Sequence, residues 1–399
     1  MTGRSVSALL VGAGSGVEAW VGADDGARVM GLVGAVVLAA LLAVACCWLA
    51  SVARPRPHVH GDPQLAARLG ALAGRGARRV AAAVVEQNTS ARTRVAFIRA
   101  DAETRFEVGS VTKALTGMLL ACAIERGEVA MGSTVADVFQ ELSDTGLGAV
   151  TVRQLCTHCS GLPRLPRSPV LLARVVLVGL LGLDPYRGTS PRGVLRAAAR
   201  QRLRGTGRYR YSNLGAAVLG QLLAAAAGTS YPALLAERIL DPLAMTGASV
   251  ATRRSAARPG WSALGLPRIP WVADGYAPAG GVIATLQDLA RLAAGLLAGT
   301  APGGAAIQPI PEVNLGVPGR RTGAFWIIDQ VPGSNRTVIW HNGATGGYSA
   351  FMALYPRDGR AVIVLANTAR PRDQQHIAFG LARWLATSET NHPHDDSTE

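Results

Sequence analysis

Ser110 and Lys113 stand three residues apart in the stretch Phe106-Glu107-Val108-Gly109-Ser110-Val111-Thr112-Lys113, and Lys113 is the single lysine in a chain of 399 residues. Lysine and arginine together number 40, so the other 39 are arginine. Arginine serves wherever a fixed positive charge is wanted, but it keeps its proton in a protein, whereas a lysine can become a neutral amine. A spacing of three places both side chains on one helix face. The pair therefore reads as a serine nucleophile beside its proton acceptor. Two more polar groups stand in apolar surroundings: Tyr211-Ser212-Asn213, just ahead of the run Ala216–Ala226, and His341-Asn342-Gly343, where a strand meets glycines. Taken singly, Tyr211 reads as a half-buried aromatic, Asn213 as a helix cap and His341 as a strand residue.

These residues need a scaffold, and the pattern supplies one. Asp62-Pro63 opens a short helix over 63–73, with a cap followed by proline at the first position. Val80–Gln87 and Thr93–Arg99 read as paired strands, and a helix runs from Ser110 to about Arg126, stopped by Gly127. Residues 130–250 read as mainly helical, with loops at Ser160–Arg167 and Asp184–Pro191. A tight turn at Ala277–Gly281 precedes a helix over Thr285–Leu297. Strands follow at Ala324–Gln330, Thr337–His341, Tyr348–Tyr355 and Arg360–Ala366, and Pro371–Leu385 closes the chain as a helix. Strands at both ends with helices between them give an α+β fold, an antiparallel sheet flanked by helices with an inserted helical lobe.

Residues 1–28 are rich in glycine, alanine and serine and read as disordered. Val29 to Ala53 then runs uncharged for 25 residues, long enough to cross a bilayer as one transmembrane helix. Residues 54–61 read as a linker, 62–388 as the folded domain and 389–399 as a disordered polar tail. The net charge of +14 is carried by arginines in nearly every segment, without aromatic interleaving or a recognisable module, which argues against nucleic acid as a partner. Cys156-Thr157-His158-Cys159 is a lone C-x-x-C with no second ligand pair at a suitable spacing, so no metal is expected; buried thiols and a disulfide or redox pair both stay open.

In this order, Ser110-x-x-Lys113, Tyr211-x-Asn213 and His341-x-Gly343 resemble the three motifs of serine β-lactamases and penicillin-binding proteins. The tyrosine form of the second motif resembles the class C β-lactamase, D,D-peptidase and esterase branch. The likeness extends to Thr151-Val152-Arg153-Gln154-Leu155, Thr157-His158, Ser160-Gly161-Leu162-Pro163, Ala279-Gly280-Gly281 and Gly346-Gly347-Tyr348, and covers roughly residues 62–388. The resemblance implies a β-lactamase-like fold and an acyl-enzyme on Ser110, with no cofactor. It implies Lys113 and Tyr211 as proton carriers, Asn213 holding Lys113 and a substrate carbonyl, and an oxyanion hole from the backbone N–H groups of Ser110 and Ala344. Gly343 would leave room for substrate against the strand.

The third motif departs from the β-lactamase form, which usually carries lysine. His341, mostly neutral near pH 7, resembles the esterase and peptidase members instead. The expected protein is a single-pass membrane-anchored serine hydrolase acting on an ester, an amide or a cell-wall peptide, with the anchor at 29–53 and the catalytic domain extracytoplasmic. The alternatives are a D-amino-acid-specific cell-wall peptidase or weak class C-type β-lactamase, and a non-catalytic ligand-binding protein on the same fold. A greasy run, Pro169–Leu183, is expected to be a buried helix or an interfacial flap, and as a flap it would favour an apolar acyl or alcohol group.

Overall fold

The computed structural model describes residues 57–73, 77–87, 91–167, 181–254, 257–313, 315–331 and 336–388, together with isolated helical positions between 31 and 46. The chain divides into two compact units, Met1–Arg54 and Pro55–Glu399, each described on its own. In the first unit the described positions, Leu38, Leu41 and Leu42 among them, are helical and exposed. The expected anchor otherwise lies outside the described residues, as do the two terminal segments expected to be disordered and most of the run 169–183. Among the described residues no single helix is long and apolar enough to cross a membrane.

The second unit is built on one antiparallel sheet of eight strands. These are β1 (Val59–Gly61), β2 (Val80–Glu86), β3 (Arg92–Ile98), β4 (Arg321–Thr322), β5 (Ile327–Gln330), β6 (Thr337–Ala344), β7 (Ser349–Tyr355) and β8 (Arg360–Ala366). Their spatial order is β1-β3-β2-β8-β7-β6-β5-β4, so strands from the two ends of the domain meet at the β2–β8 seam. Alternation along β2 decides the layers: Val80, Ala82 and Val84 face one side, Ala81, Ala83 and Val85 the other, and all six are buried.

The helices are α1 (Pro63–Leu72), α2 (Val111–Glu125), α3 (Asn213–Ala226), α4 (Leu286–Ala298) and α5 (Pro371–Ser388). α1 and α5 cover the first face through Leu65, Leu69, Ile377 and Leu381. Each buried leucine there contributes roughly 1.5–3 kcal/mol. α1 begins where the sequence places it, with Asp62 accepting from the Leu65 N–H at 3.0 Å and Pro63 in its first turn. On the other face lie α2, α4 and the inserted lobe, whose centre is α3. α2 is apolar nearly all round, as its central position demands.

Three expectations are revised. The segment read as linker contributes β1 at its end, where Val59–Gly61 extends the sheet beside β3 and His60 bonds the Ala100 carbonyl at 2.9 Å. Residues 130–250 hold several short helices, Val135–Val138, Val152–Cys156 and Pro191–Ala199 among them, joined by more loop than the pattern suggested. β6 does not stop at His341 but runs on to Ala344, because Gly343 lets the strand continue against the segment that carries Ser110.

Candidate active site

Ser110 sits at the N-terminal end of α2 as its cap residue. Gly109 before it has φ +51°, a left-handed turn that favours glycine, and a Cβ there would lie 2.7 Å from the Ala344 nitrogen. A Cβ on Gly343 would lie 1.9 Å from the Val108 oxygen and 2.9 Å from the Ser110 nitrogen. Two glycines thus let β6 close on the nucleophile's turn, which brings the backbone nitrogens of Ser110 and Ala344 to the same small gap.

Lys113 lies one turn further along α2 and is fully buried. Its Nζ is 3.0 Å from Ser110 Oγ and 2.5 Å from the Ala279 carbonyl, and it lies 4.9 Å from the centre of the Tyr211 ring. Among the described residues no carboxylate pairs with it. Burial, helped by the nearby charge of Arg164, holds its pKa well below the ordinary lysine value. Burial thus favours the neutral amine, and Nζ donates to the Ala279 carbonyl and to Ser110 Oγ. The turn that supplies this carbonyl is the short helix Ala277–Gly280, part of the Ala277–Gly281 segment singled out in the sequence.

Tyr211 donates its phenol to Ser110 Oγ at 2.6 Å. Burial raises its pKa, against the opposing effects of the Ser110 bond and of Arg164, so it stands as a phenol rather than a phenolate. Asn213, the first residue of α3, is placed differently from expectation. Its Nδ2 donates to the Tyr186 hydroxyl at 2.9 Å, and its Oδ1 is buried without a partner among the described residues, so it is not tied to Lys113. The helix cap is Ser212, which accepts from the Gly215 N–H.

His341 is buried on β6 with Nδ1 2.7 Å from the Asn342 carbonyl oxygen. Burial, then the proximity of Lys113, lowers its pKa to about 3. It carries no charge at neutral pH and lines, with His158, Tyr209, Tyr211 and Phe325, a cavity of about 220 Å³. His158 completes this wall. Its Nδ1 accepts from the Ser212 N–H at 3.2 Å, its ring lies 4.6 Å from that of Tyr211, and burial holds it neutral. Cys156 and Cys159 are free thiols; burial pushes Cys156 up to about 12 and raises Cys159, so neither is a ready thiolate.

The residues singled out in the sequence therefore fall into two groups. Ser110, Lys113, Tyr211, Gly343 and Ala344 converge, while Asn213 and His341 stand at the edges with other partners. Sequence reasoning missed Tyr186, Arg164 and Glu107. Tyr186 lay in a stretch assigned only as loop, and its contacts come from Trp271 and Tyr276, 85 and more residues away in the chain. Nothing local marks such a residue.

A family model described as Beta-lactamase matches residues 65–383. Beta-lactamase-like protein 2 of Dictyostelium discoideum is 28% identical over 160 residues, which is 36% of this chain and 25% of that protein; the match spans about a quarter of that relative's length. A class C β-lactamase from Rhodobacter sphaeroides superposes with a TM-score of 0.65 at 19% identity, covering 82% of this chain and all of the other. A D-stereospecific amidohydrolase from Streptomyces sp. gives 0.65 at 20%, covering 79% and 99%. At these identities the structures speak for the fold, and the family match over most of the chain speaks for membership. The chain belongs to the β-lactamase family.

Proposed function

We propose that the protein cleaves an ester or amide through an acyl-enzyme on Ser110, and that its physiological substrate is not held by a cation at residue 341. One observation carries the first part: Ser110 Oγ lies within hydrogen-bond distance of both a buried amine and a phenol, 3.0 Å from Lys113 Nζ and 2.6 Å from Tyr211 OH. A serine hydroxyl attacks only as its proton leaves. Lys113 takes that proton, the Oγ–carbonyl bond forms, and the oxyanion is held by the N–H groups of Ser110 and Ala344. The tetrahedral adduct then collapses, the leaving group takes the Tyr211 proton, and Tyr211 recovers one from the Lys113 ammonium. Water attacks the acyl-enzyme with the same groups in reversed order, which frees the acid and returns the proton to Ser110.

The second part rests on His341. With a pKa near 3 it offers the substrate a neutral ring, where a fixed cation would favour a carboxylate beside the oxyanion strand. This supports an esterase-like reading over a β-lactamase or a peptidase acting on free C-termini. A D-amino-acid-specific cell-wall peptidase is the second reading, favoured by the likeness to the amidohydrolase fold. Membrane attachment through residues 29–53 belongs to the same proposal and is supported by 25 consecutive uncharged residues, and placement of the catalytic domain outside the cytoplasm is supported by the cell-wall substrates of the second reading.

Labelling with a fluorescent phosphonate and, separately, a fluorescent penicillin separates these readings. Intact-mass measurement should give one phosphonate adduct, lost in Ser110→Ala, and no lasting penicillin adduct. A stable penicillin adduct on Ser110 would favour the peptidase. Absence of both adducts on folded protein would remove the acyl-enzyme mechanism.

A further inference from the structure

Arg164 follows the Ser160-Gly161-Leu162-Pro163 loop and is exposed. Its guanidinium carbon lies 5.7 Å from the centre of the Tyr211 ring, whose hydroxyl touches Ser110. It pairs with no carboxylate among the described residues. The backbone that carries it is fixed to the start of α3. The Pro163 carbonyl accepts from Ser212 Oγ at 2.7 Å, and the Arg164 carbonyl accepts from the Leu214 N–H at 3.3 Å, so residues 163–164 are pinned to the start of α3 on both sides of Asn213. Next to this clamp lies Asn213 Oδ1, buried and without a partner.

The charge of Arg164 favours a neutral Lys113 and eases loss of the Tyr211 proton, and no carboxylate among the described residues balances it. His341 on β6 offers a neutral ring, and Arg320, which lines the same cavity, is paired with Asp329, whereas the Arg164 guanidinium beside Tyr211 has no carboxylate partner among the described residues. A planar fork of donors held at a site mouth recognises a carboxylate bidentately.

We propose that Arg164 is a specificity-determining residue that binds a carboxylate on the substrate, placed within one side-chain length of the scissile carbonyl on the Tyr211–Asn213 wall. This rests on the acyl-enzyme reading above and adds the substrate class, an anionic ester or amide. Arg164 also acts on Lys113 through its charge, so the test must separate recognition from tuning of the base.

Matched p-nitrophenyl esters do so: a hemisuccinate against its methyl ester places the carboxylate in the acyl chain. A second pair, phenyl acetates with and without a carboxylate on the leaving alcohol, places it on the other side. In one of the pairs kcat/KM for the anionic member should exceed the neutral one about tenfold at low salt, and the advantage should shrink as ionic strength rises. Arg164→Gln should erase that ratio and Arg164→Glu invert it. Tuning alone would shift the acidic limb of the pH–rate profile for charged and neutral esters alike and leave the ratio unchanged, which overturns the proposal. So would a ratio near one for both pairs in the unaltered protein. If the phosphonate fails to label Ser110, the hydrolase mechanism itself has failed and this inference falls with it. Labelling and neutral-ester turnover without charge preference removes this inference alone.

Discussion

At the level of single residues, the proposed chemistry turns on Lys113 acting as a neutral base. It is fully buried, has no carboxylate partner among the described residues, and meets an arginine charge nearby. Each of these favours the amine over the ammonium. Replacement by arginine keeps a long cationic chain but removes the possibility of deprotonation. Lys113→Arg should lower kcat/KM about 10³-fold, the scale of a lost general base, even where the variant folds. Lys113→Met should be equally inactive, yet its Tm at pH 7 should be higher than that of the unaltered protein. The reason is linkage. A lysine whose folded pKa is depressed binds fewer protons folded than unfolded, so it costs stability at every pH below the unfolded lysine value, and methionine removes that cost. Steady-state kinetics and thermal unfolding check both halves. An active Lys113→Arg variant would transfer the base role to another group.

Among elements, the site is a meeting of α2, β6 and the start of α3, and Glu107 ties their neighbours together. It lies just ahead of the Ser110 turn, is 3% exposed, and accepts from the Trp271 N–H at 2.7 Å and from the Thr345 hydroxyl just beyond β6. Burial raises its pKa to about 7, with the Asp184 charge adding to the rise and the two hydrogen bonds opposing it. A carboxyl group raised in the folded state binds its proton more tightly there than in the unfolded chain. Its stabilisation is complete below about pH 4.5 and is lost as the pH climbs through about 7. Glu107→Gln stays neutral throughout. Urea unfolding at pH 5 and pH 8 should show the unaltered protein losing on the order of 3 kcal/mol more than the variant between the two. Parallel pH dependence in both proteins would show that Glu107 does not titrate in this window. The example also shows what a sequence makes legible. Ser110 and Lys113 could be read because helix spacing and a lone lysine are local signals, whereas Ala344 and the place of Gly343 came with the family resemblance. The apolar run of β2 and the cap at Asp62 are local too. The roles of Glu107, Tyr186 and the Asn213 side chain depend on partners supplied by folding from distant segments, and no local pattern carries them. The extension of β6 past His341 escaped for a related reason: glycine reads as the end of a strand until the segment packed against it is known.

For the whole molecule, apolar character has two different uses. α3 and the helical stretch Tyr231–Leu240 are together apolar enough for a membrane, but they bend by 82° and are largely buried at the centre of the lobe, so they are core. Residues 29–53 lie in a separate unit, and Leu38, Leu41 and Leu42 there are exposed at 57% or more. A chain of net charge +14 could also hold to anionic lipid through its arginines alone, and that attraction is screened by salt whereas burial of an apolar helix is not. The full chain should therefore sediment with membranes and stay there through 1 M salt, a concentration at which the screening length is about 3 Å. A chain beginning at Pro55 should be recovered in solution. It should unfold cooperatively and label with phosphonate at the same rate as the full chain, because the sheet, both its helical layers and every site residue lie within Pro55–Glu399. Protease added to intact cells should remove the catalytic domain of the full chain, which full protection would contradict. Release of the full chain by salt would assign its attachment to surface charge, and loss of labelling in the shorter chain would mean that the first unit supports the site.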